Sequence, residues 1–184
     1  MGILLGFAPF IAFAVLTRFA TPTVSLWAAA IASAVLVIRE RLRGRSLKIL
    51  EVGTLALFLM LGFYSSFIPV TWDIPTVRAI VDAGLLFIII LSIVVRNPFT
   101  LQYAREQVSA ETLQSPTFVR TNYVLTSIWA AAMAIIVVAD LGMHFVPTMP
   151  LSTEVAAILV ALGGAFWFTK WYPAQQRQRH KEPL

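Results

Sequence analysis

Apolar residues in this chain come in long unbroken runs, at about residues 3–19, 24–38, 52–68, 77–95, 123–145 and 155–169. Crossing the hydrocarbon core of a bilayer takes roughly 17–25 mostly apolar residues when the segment is helical. Backbone groups in lipid must be satisfied within their own segment, and the runs lack the two-residue alternation of a membrane β-barrel. The pattern therefore predicts an all-α polytopic membrane protein with six transmembrane helices. The first two runs are short and tightly joined, so a re-entrant hairpin is the alternative there.

Punctuation between the runs has local causes. Thr21-Pro22-Thr23 separates the first two and offers a cap and a first-turn proline for the second. Pro69 and Pro75 bracket one short turn, and Pro147 and Pro150 bracket another. Ser152 or Thr153 is placed to cap the sixth run. Small residues at four-residue spacing, such as Ala28 with Ala32 and Ala130 with Ala134, suit close helix packing and identify no function.

Composition agrees: of 184 residues, 59% are hydrophobic and 12% charged, against about 25% charged in a soluble domain. That balance argues against a soluble enzyme domain, a disordered tail or a nucleic-acid-binding module. The chain has no cysteine and two histidines, His144 and His180. Disulfides, thiolate metal sites and a cysteine nucleophile are thereby excluded, and a multi-histidine site within one chain is disfavoured. No cofactor is expected.

The net charge of +5 matters less than its placement. Arg39, Arg41, Arg43, Arg45 and Lys48 follow the second run; Arg96, Arg105 and Arg120 follow the fourth; Lys170, Arg177, Arg179 and Lys181 close the chain. Together these are all of the 14 basic residues except Arg18 and Arg78. With six spans they share one face, and the positive-inside rule places both termini in the cytoplasm. The expected layout is one six-helix domain over residues 1–170, cytoplasmic loops at 39–48 and 96–122, and a polar cytoplasmic tail at 171–184. Residues Arg39 to Lys48 become candidate contacts for anionic lipid headgroups.

Within loop 96–122, Phe99, Tyr103 and Val108 alternate with Gln102, Arg105, Glu106 and Gln107 at roughly helical spacing. This predicts an amphipathic helix lying on the inner leaflet.

Ionisable residues within spans are costly and mark candidate sites. Asp82, Asp140 and Glu154 fall toward the outer half, with Arg78 one turn before Asp82, Arg18 at the end of the first run and His144 at the end of the fifth. They can form an ion or proton pathway, or interfacial ion pairs that fix helix register; Arg78 with Asp82 meets the second description easily. Glu51 is expected to pair with Lys48 or a neighbouring arginine. No phosphate-cradling glycine loop, HExxH or GxSxG motif is present, and no catalytic residue is assigned.

One stretch carries a family resemblance. Arg96-Asn97-Pro98-Phe99 leads through Gln102-Tyr103-Ala104-Arg105-Glu106 and Ser115-Pro116-Thr117-Phe118 to Asn122 and Trp129, and Phe7-Ala8-Pro9-Phe10 lies near the N-terminus. These segments and the layout resemble the bacterial intracellular septation protein A family. The resemblance implies a non-enzymatic inner-membrane protein tied to cell division and envelope maintenance, acting through membrane-protein partners or a homo-oligomer. On that basis Pro98, Phe99, Tyr103, Arg105, Glu106, Asn122 and Trp129 form a candidate interaction loop. The alternatives are a small transporter or proton pathway built on Asp82, Asp140 and Glu154, an accessory subunit of a membrane complex, and a lipid-modifying enzyme using Glu106 or Glu111. Convergence of Asp82, Asp140 and Arg18 on one enclosed cavity favours transport; dispersal to separate interfaces favours scaffolding.

Overall fold

A computed structural model describes residues 5–69, 72–113, 115–146 and 148–179. Pro147, His180 and Lys181 lie outside the described residues, as do the side chains of Glu111, Arg177 and Arg179. Among the described residues the chain is entirely helical, without strands. Its helices are α1 (Ala8–Leu16), α2 (Pro22–Leu42), α3 (Ile49–Phe67), α4 (Ile74–Val94), α5 (Phe99–Arg105), α6 (Ala110–Leu113), α7 (Pro116–Phe145) and α8 (Leu151–Arg179).

Helix ends follow local chemistry. Thr21 caps α2, accepting from the Val24 amide at 3.4 Å, and Pro22 occupies the first turn. α2 continues past the apolar run to Leu42, carrying Arg39 and Arg41 in its last turn, where cations complement the helix dipole. Gly44 then turns the chain at φ 68°, and the Arg45 amide reaches back to the Glu40 carbonyl at 3.1 Å, a left-handed stop that glycine accepts without strain. Ser115 and Pro116 open α7 well ahead of its apolar run. α8 opens at Leu151, so Ser152 and Thr153 lie inside its first turn instead of capping it. It runs through Pro173 to Arg179, so residues 171–179 of the predicted polar tail continue this helix.

Among the described residues, five helical segments are long and apolar enough to cross a membrane: Pro22–Leu42, Ile49–Phe67, Ile74–Val94, Pro116–Phe145 and Ser152–Gln176. The chain is thus built as a multi-pass membrane protein. The nine residues of α1 alone rise about 14 Å, short of a hydrocarbon core of about 30 Å, and helical residues 5–6 with the turns at 17–19 extend the segment on either side. Large apolar side chains such as Phe19, Leu42, Phe67 and Val160 face outward, as expected where lipid is the solvent.

Neighbouring helices run antiparallel. Gly53 sits against Ile88, and a Cβ at Gly84 would fall 2.5 Å from Leu57. Small residues let these backbones approach, because association in lipid depends on packing contact. α4 packs extensively on α7, α7 on α8, and α2 on α3. The core contains Phe7, Phe10, Phe13, Phe58, Phe99 and Trp129, with Phe7 stacked on Trp129 at 5.0 Å. At one end of the bundle lie the basic segments. At the other, Trp27 donates to Ser66 at 3.0 Å and Thr76 pairs with His144 at 3.0 Å.

The predicted surface helix of loop 96–122 is not a surface helix. Every residue of α5 from Phe99 to Tyr103 is buried. The Phe99 amide donates to Ser92 at 3.1 Å, and Thr100 donates to the Asn122 carbonyl at 2.8 Å. Gln102 accepts from the Ile49 amide at 2.8 Å and donates to the Asn97 carbonyl at 2.7 Å. These bonds hold α5 as a plug in the basic end of the bundle.

Candidate functional site

Four of the six outer candidates converge. Arg78 and Asp82 share one face of α4, Asp140 projects from α7 and Glu154 from the first turn of α8. Arg78 closes its ion pair with Glu154, at 2.8 Å between helices, and not with Asp82 along its own helix. That choice frees Asp82 to face Asp140. Asp140 is only 2% exposed, and its oxygens face the Asp82 carboxyl with no hydrogen bond from a basic or neutral donor. Such a group is expensive to keep and calls for a reason. Arg18 is exposed and does not join Asp82 and Asp140, and His144 is exposed as well, 3.9 Å from Asp73.

Beside this cluster is a cleft of about 520 Å³ between α1, α4, α7 and α8. Phe10, Phe13, Met133, Ile136 and Leu162 supply apolar walls, while Arg78 and Asp82 supply polar lining. Ile11 and Ala14 also line it and are exposed. The described acids, Asp82, Asp140 and Glu154 included, form no group of three arranged to hold a metal ion.

The basic end holds a second charge cluster. Lys48 has a side chain 1% exposed and is enclosed by Glu106 at 3.0 Å, Glu40 at 3.4 Å and Glu51 at 3.5 Å. Burial opposes its charge, but the hydrogen bond to Glu106 and the fields of Glu51 and Glu40 outweigh it. The amine is therefore held above the ordinary lysine range. Tyr103 donates to Glu51 at 3.2 Å, and Lys48 lies over its ring, 5.0 Å from the centroid. Burial first, and Glu51 second, push the Tyr103 phenol up. Arg45 and Arg39 reach Glu40 at 3.3 and 3.5 Å.

This geometry redistributes the predicted residues. Lys48 is an internal counter-ion and presents no ammonium to headgroups, whereas Arg41, Arg43 and Arg45 are exposed. Of the candidate interaction loop, Phe99, Tyr103, Asn122 and Trp129 are buried. Trp129 donates to Thr169 at 3.0 Å, tying α7 to α8. Arg105 is exposed, and Glu106 is engaged by Lys48. The expected pairing of Glu51 with Lys48 is present. Two participants escaped the sequence reading. Glu40 is a buried acid within the arginine run, and its isolation among cations was the available signal. Gly6 lies so close to Tyr103 that a Cβ would fall 2.6 Å from the phenol oxygen, a constraint with no local signature.

A second cavity of about 440 Å³ lies at the basic end, with neutral groups such as Thr100, Thr121, Asn122, Thr169 and Gln176 in its lining. Comparison with protein families, curated proteins and solved structures returns no match.

Proposed function

We propose that this chain is a six-span protein of a bacterial inner membrane, with both termini cytoplasmic, that works as a small proton-coupled carrier. The observation that carries the reading is the meeting of half-buried Asp82, which lines the cleft, with buried Asp140, whose oxygens receive no hydrogen bond from any basic or neutral donor. Two carboxyls on neighbouring helices, one of them lining the cleft, are the kind of group that a proton pathway uses within a membrane. Arg78 and Glu154 neutralise one another nearby. The aromatic layer of Phe7, Phe58, Phe99 and Trp129 separates this pair from the basic end, as a closed barrier in a carrier would. α1 completes the topology: Gly6 lies beside Tyr103 and Leu50 at the basic end, while Phe10 and Phe13 contact Phe58 deeper in the bundle. Its start is thus on the same side as the other basic segments, which the positive-inside rule makes cytoplasmic.

Proton movement in proteoliposomes, followed with an entrapped pH-sensitive dye, tests this. Wild type should dissipate an imposed pH gradient, and Asp82→Asn or Asp140→Asn should abolish that movement. Undiminished movement in both variants overturns the reading.

A second reading, partner-mediated action in division or envelope maintenance, draws on α8. Val160 is 75% exposed, and a Cβ at Gly163 or Gly164 would meet nothing within 4 Å. This leaves a flank open to another helix. Mild-detergent crosslinking through residue 160 should capture a membrane partner or second copy; a partnerless monomer counts against it.

A further inference from the structure

We infer that the cleft between α1, α4, α7 and α8 takes up a neutral amphiphile from the lipid phase, its hydroxyl-bearing head between Arg78 and Asp82 and its apolar chain along the walls. This binding goes beyond proton movement and does not require it.

The mouth of the cleft sets where a ligand comes from. Its lining residues Ile11, Ala14, Gly163 and Phe166 are exposed. Gly163 lies near the middle of the apolar segment Ser152–Gln176, so the mouth meets acyl chains and not water. α1 packs on α2 and α8 on α7, but no comparable packing closes α1 against α8. The opening is therefore lateral. About 520 Å³ walled by Phe10, Phe13, Met133, Ile136 and Leu162 is the size of an ordinary ligand pocket and suits an acyl chain.

The polar lining sets the head. Among the described residues, Arg78 and Asp82 are the charged members of that lining, one helical turn apart on α4. A bare hydrocarbon chain would leave both against apolar atoms, which is costly at membrane depth. Arg78 holds Glu154 at 2.8 Å through one nitrogen, and its guanidinium has further N–H donors. A carboxyl accepts hydrogen bonds with or without a proton of its own. The lining thus sets a donor beside an acceptor in either ionisation state of Asp82. A cationic head would stand against Arg78, and an anionic head against the carboxyls of Asp82 and Glu154. A hydroxyl suits both sides, since it accepts from the guanidinium and donates to the carboxyl, and its binding moves no charge.

The full chain in phosphatidylcholine nanodiscs can be irradiated with a monoacylglycerol carrying a diazirine in its acyl chain, and labelled residues mapped by peptide mass spectrometry. An alkane carrying the same diazirine is the probe without a head. The monoacylglycerol should label cleft residues such as Ile11 and Met133 about tenfold more than the alkane, as hydrogen bonds to charged groups allow. Val35 and Val94 are exposed and do not line the cleft, so both probes should label them alike. Asp82→Asn keeps an acceptor and should keep the preference for the monoacylglycerol, whereas Asp82→Leu should erase it. Gly163→Leu spares both polar groups. A Cβ there meets nothing within 4 Å, so the leucine should fill the mouth, leave the fold intact and cut cleft labelling about tenfold or more.

Equal cleft labelling by the two probes would overturn the inference and leave an apolar groove that any chain fills. Unchanged labelling in Gly163→Leu would overturn it by placing the probe elsewhere. Equal loss in Asp82→Asn and Asp82→Leu would overturn it by making charge, not hydrogen bonding, what holds the head. An Asp82→Asn chain that keeps the labelling preference but loses proton movement would support this site and the carrier reading separately. Wild type that takes the probe but moves no protons would remove the carrier reading and keep this site.

Discussion

At the basic end, Lys48 is held by Glu40, Glu51 and Glu106, and Arg39 and Arg45 also stand against Glu40. At the opposite end, Arg78 pairs with Glu154, while Asp82 and Asp140 face one another and neither closes an ion pair among the described residues. The first group matches three cations to three acids; the second sets one cation against three acids. A balanced buried network fixes geometry and has little reason to change its protonation near neutral pH. An unbalanced one must take up a proton, a ligand or water. The contrast fits a structural part for the first cluster, and the proposed proton pathway rests on the second.

The largest expected effect comes from breaking the balance. Lys48→Met leaves three acids around an apolar side chain, and removing one partner from a buried ionic group costs about 3–5 kcal/mol. Thermal unfolding in detergent, followed by tryptophan emission, should show that loss. An unchanged melting temperature would mean that the cluster is solvated. Glu154→Gln should cost less, about 1.5–3 kcal/mol, because it removes one charge-assisted bond whose arginine is partly exposed.

Gly6→Ala pushes a methyl against the Tyr103 hydroxyl and Leu50, for which overpacking predicts a loss of about 1–3 kcal/mol. Gly163→Ala, with open space at its Cβ, is the matched comparison and should leave the melting temperature unchanged. Asp140→Asn should stay within about 1 kcal/mol of wild type, since an amide can donate to Asp82 as a shared proton would. A loss as large as that of Lys48→Met would place Asp140 in a structural network and dissolve the contrast.

The smallest effects concern pH and lipid. Lys48 lies above its ordinary range in the folded chain, so its contribution to stability is complete below the unfolded lysine value. That contribution is lost as pH rises through the higher folded value. Wild type should therefore show an alkaline decline in melting temperature, and Lys48→Met should flatten it. Arg41→Ala and Arg43→Ala should leave unfolding unchanged and weaken retention of anionic lipid by about 1 kcal/mol each, read by native mass spectrometry.

How legible the site was depends on distance along the chain. The Glu51–Lys48 pair spans one helical turn and was readable as a local contact. Arg78 with Asp82 had equally good local spacing, yet Glu154, brought over by the docking of α8, took the arginine. Asp82 and Asp140 were each recognisable as costly, but their meeting depends on the packing of α4 against α7. The loop misled for the same reason: Gln102 looks solvent-facing beside Arg105 and Glu106, but it bridges the start of α3 and the carbonyl of Asn97.

The sequence by itself determined that this is a helical, multi-pass membrane protein, because lipid leaves a backbone few options and an apolar run of sufficient length records the choice directly. It also determined the segregation of basic residues, since charge placement is a property of order along the chain. Tertiary structure alone decided which charges are balanced and which are left wanting. Ionic partnership depends on a few ångströms across helices, and antiparallel packing sets those distances between residues that lie far apart in sequence.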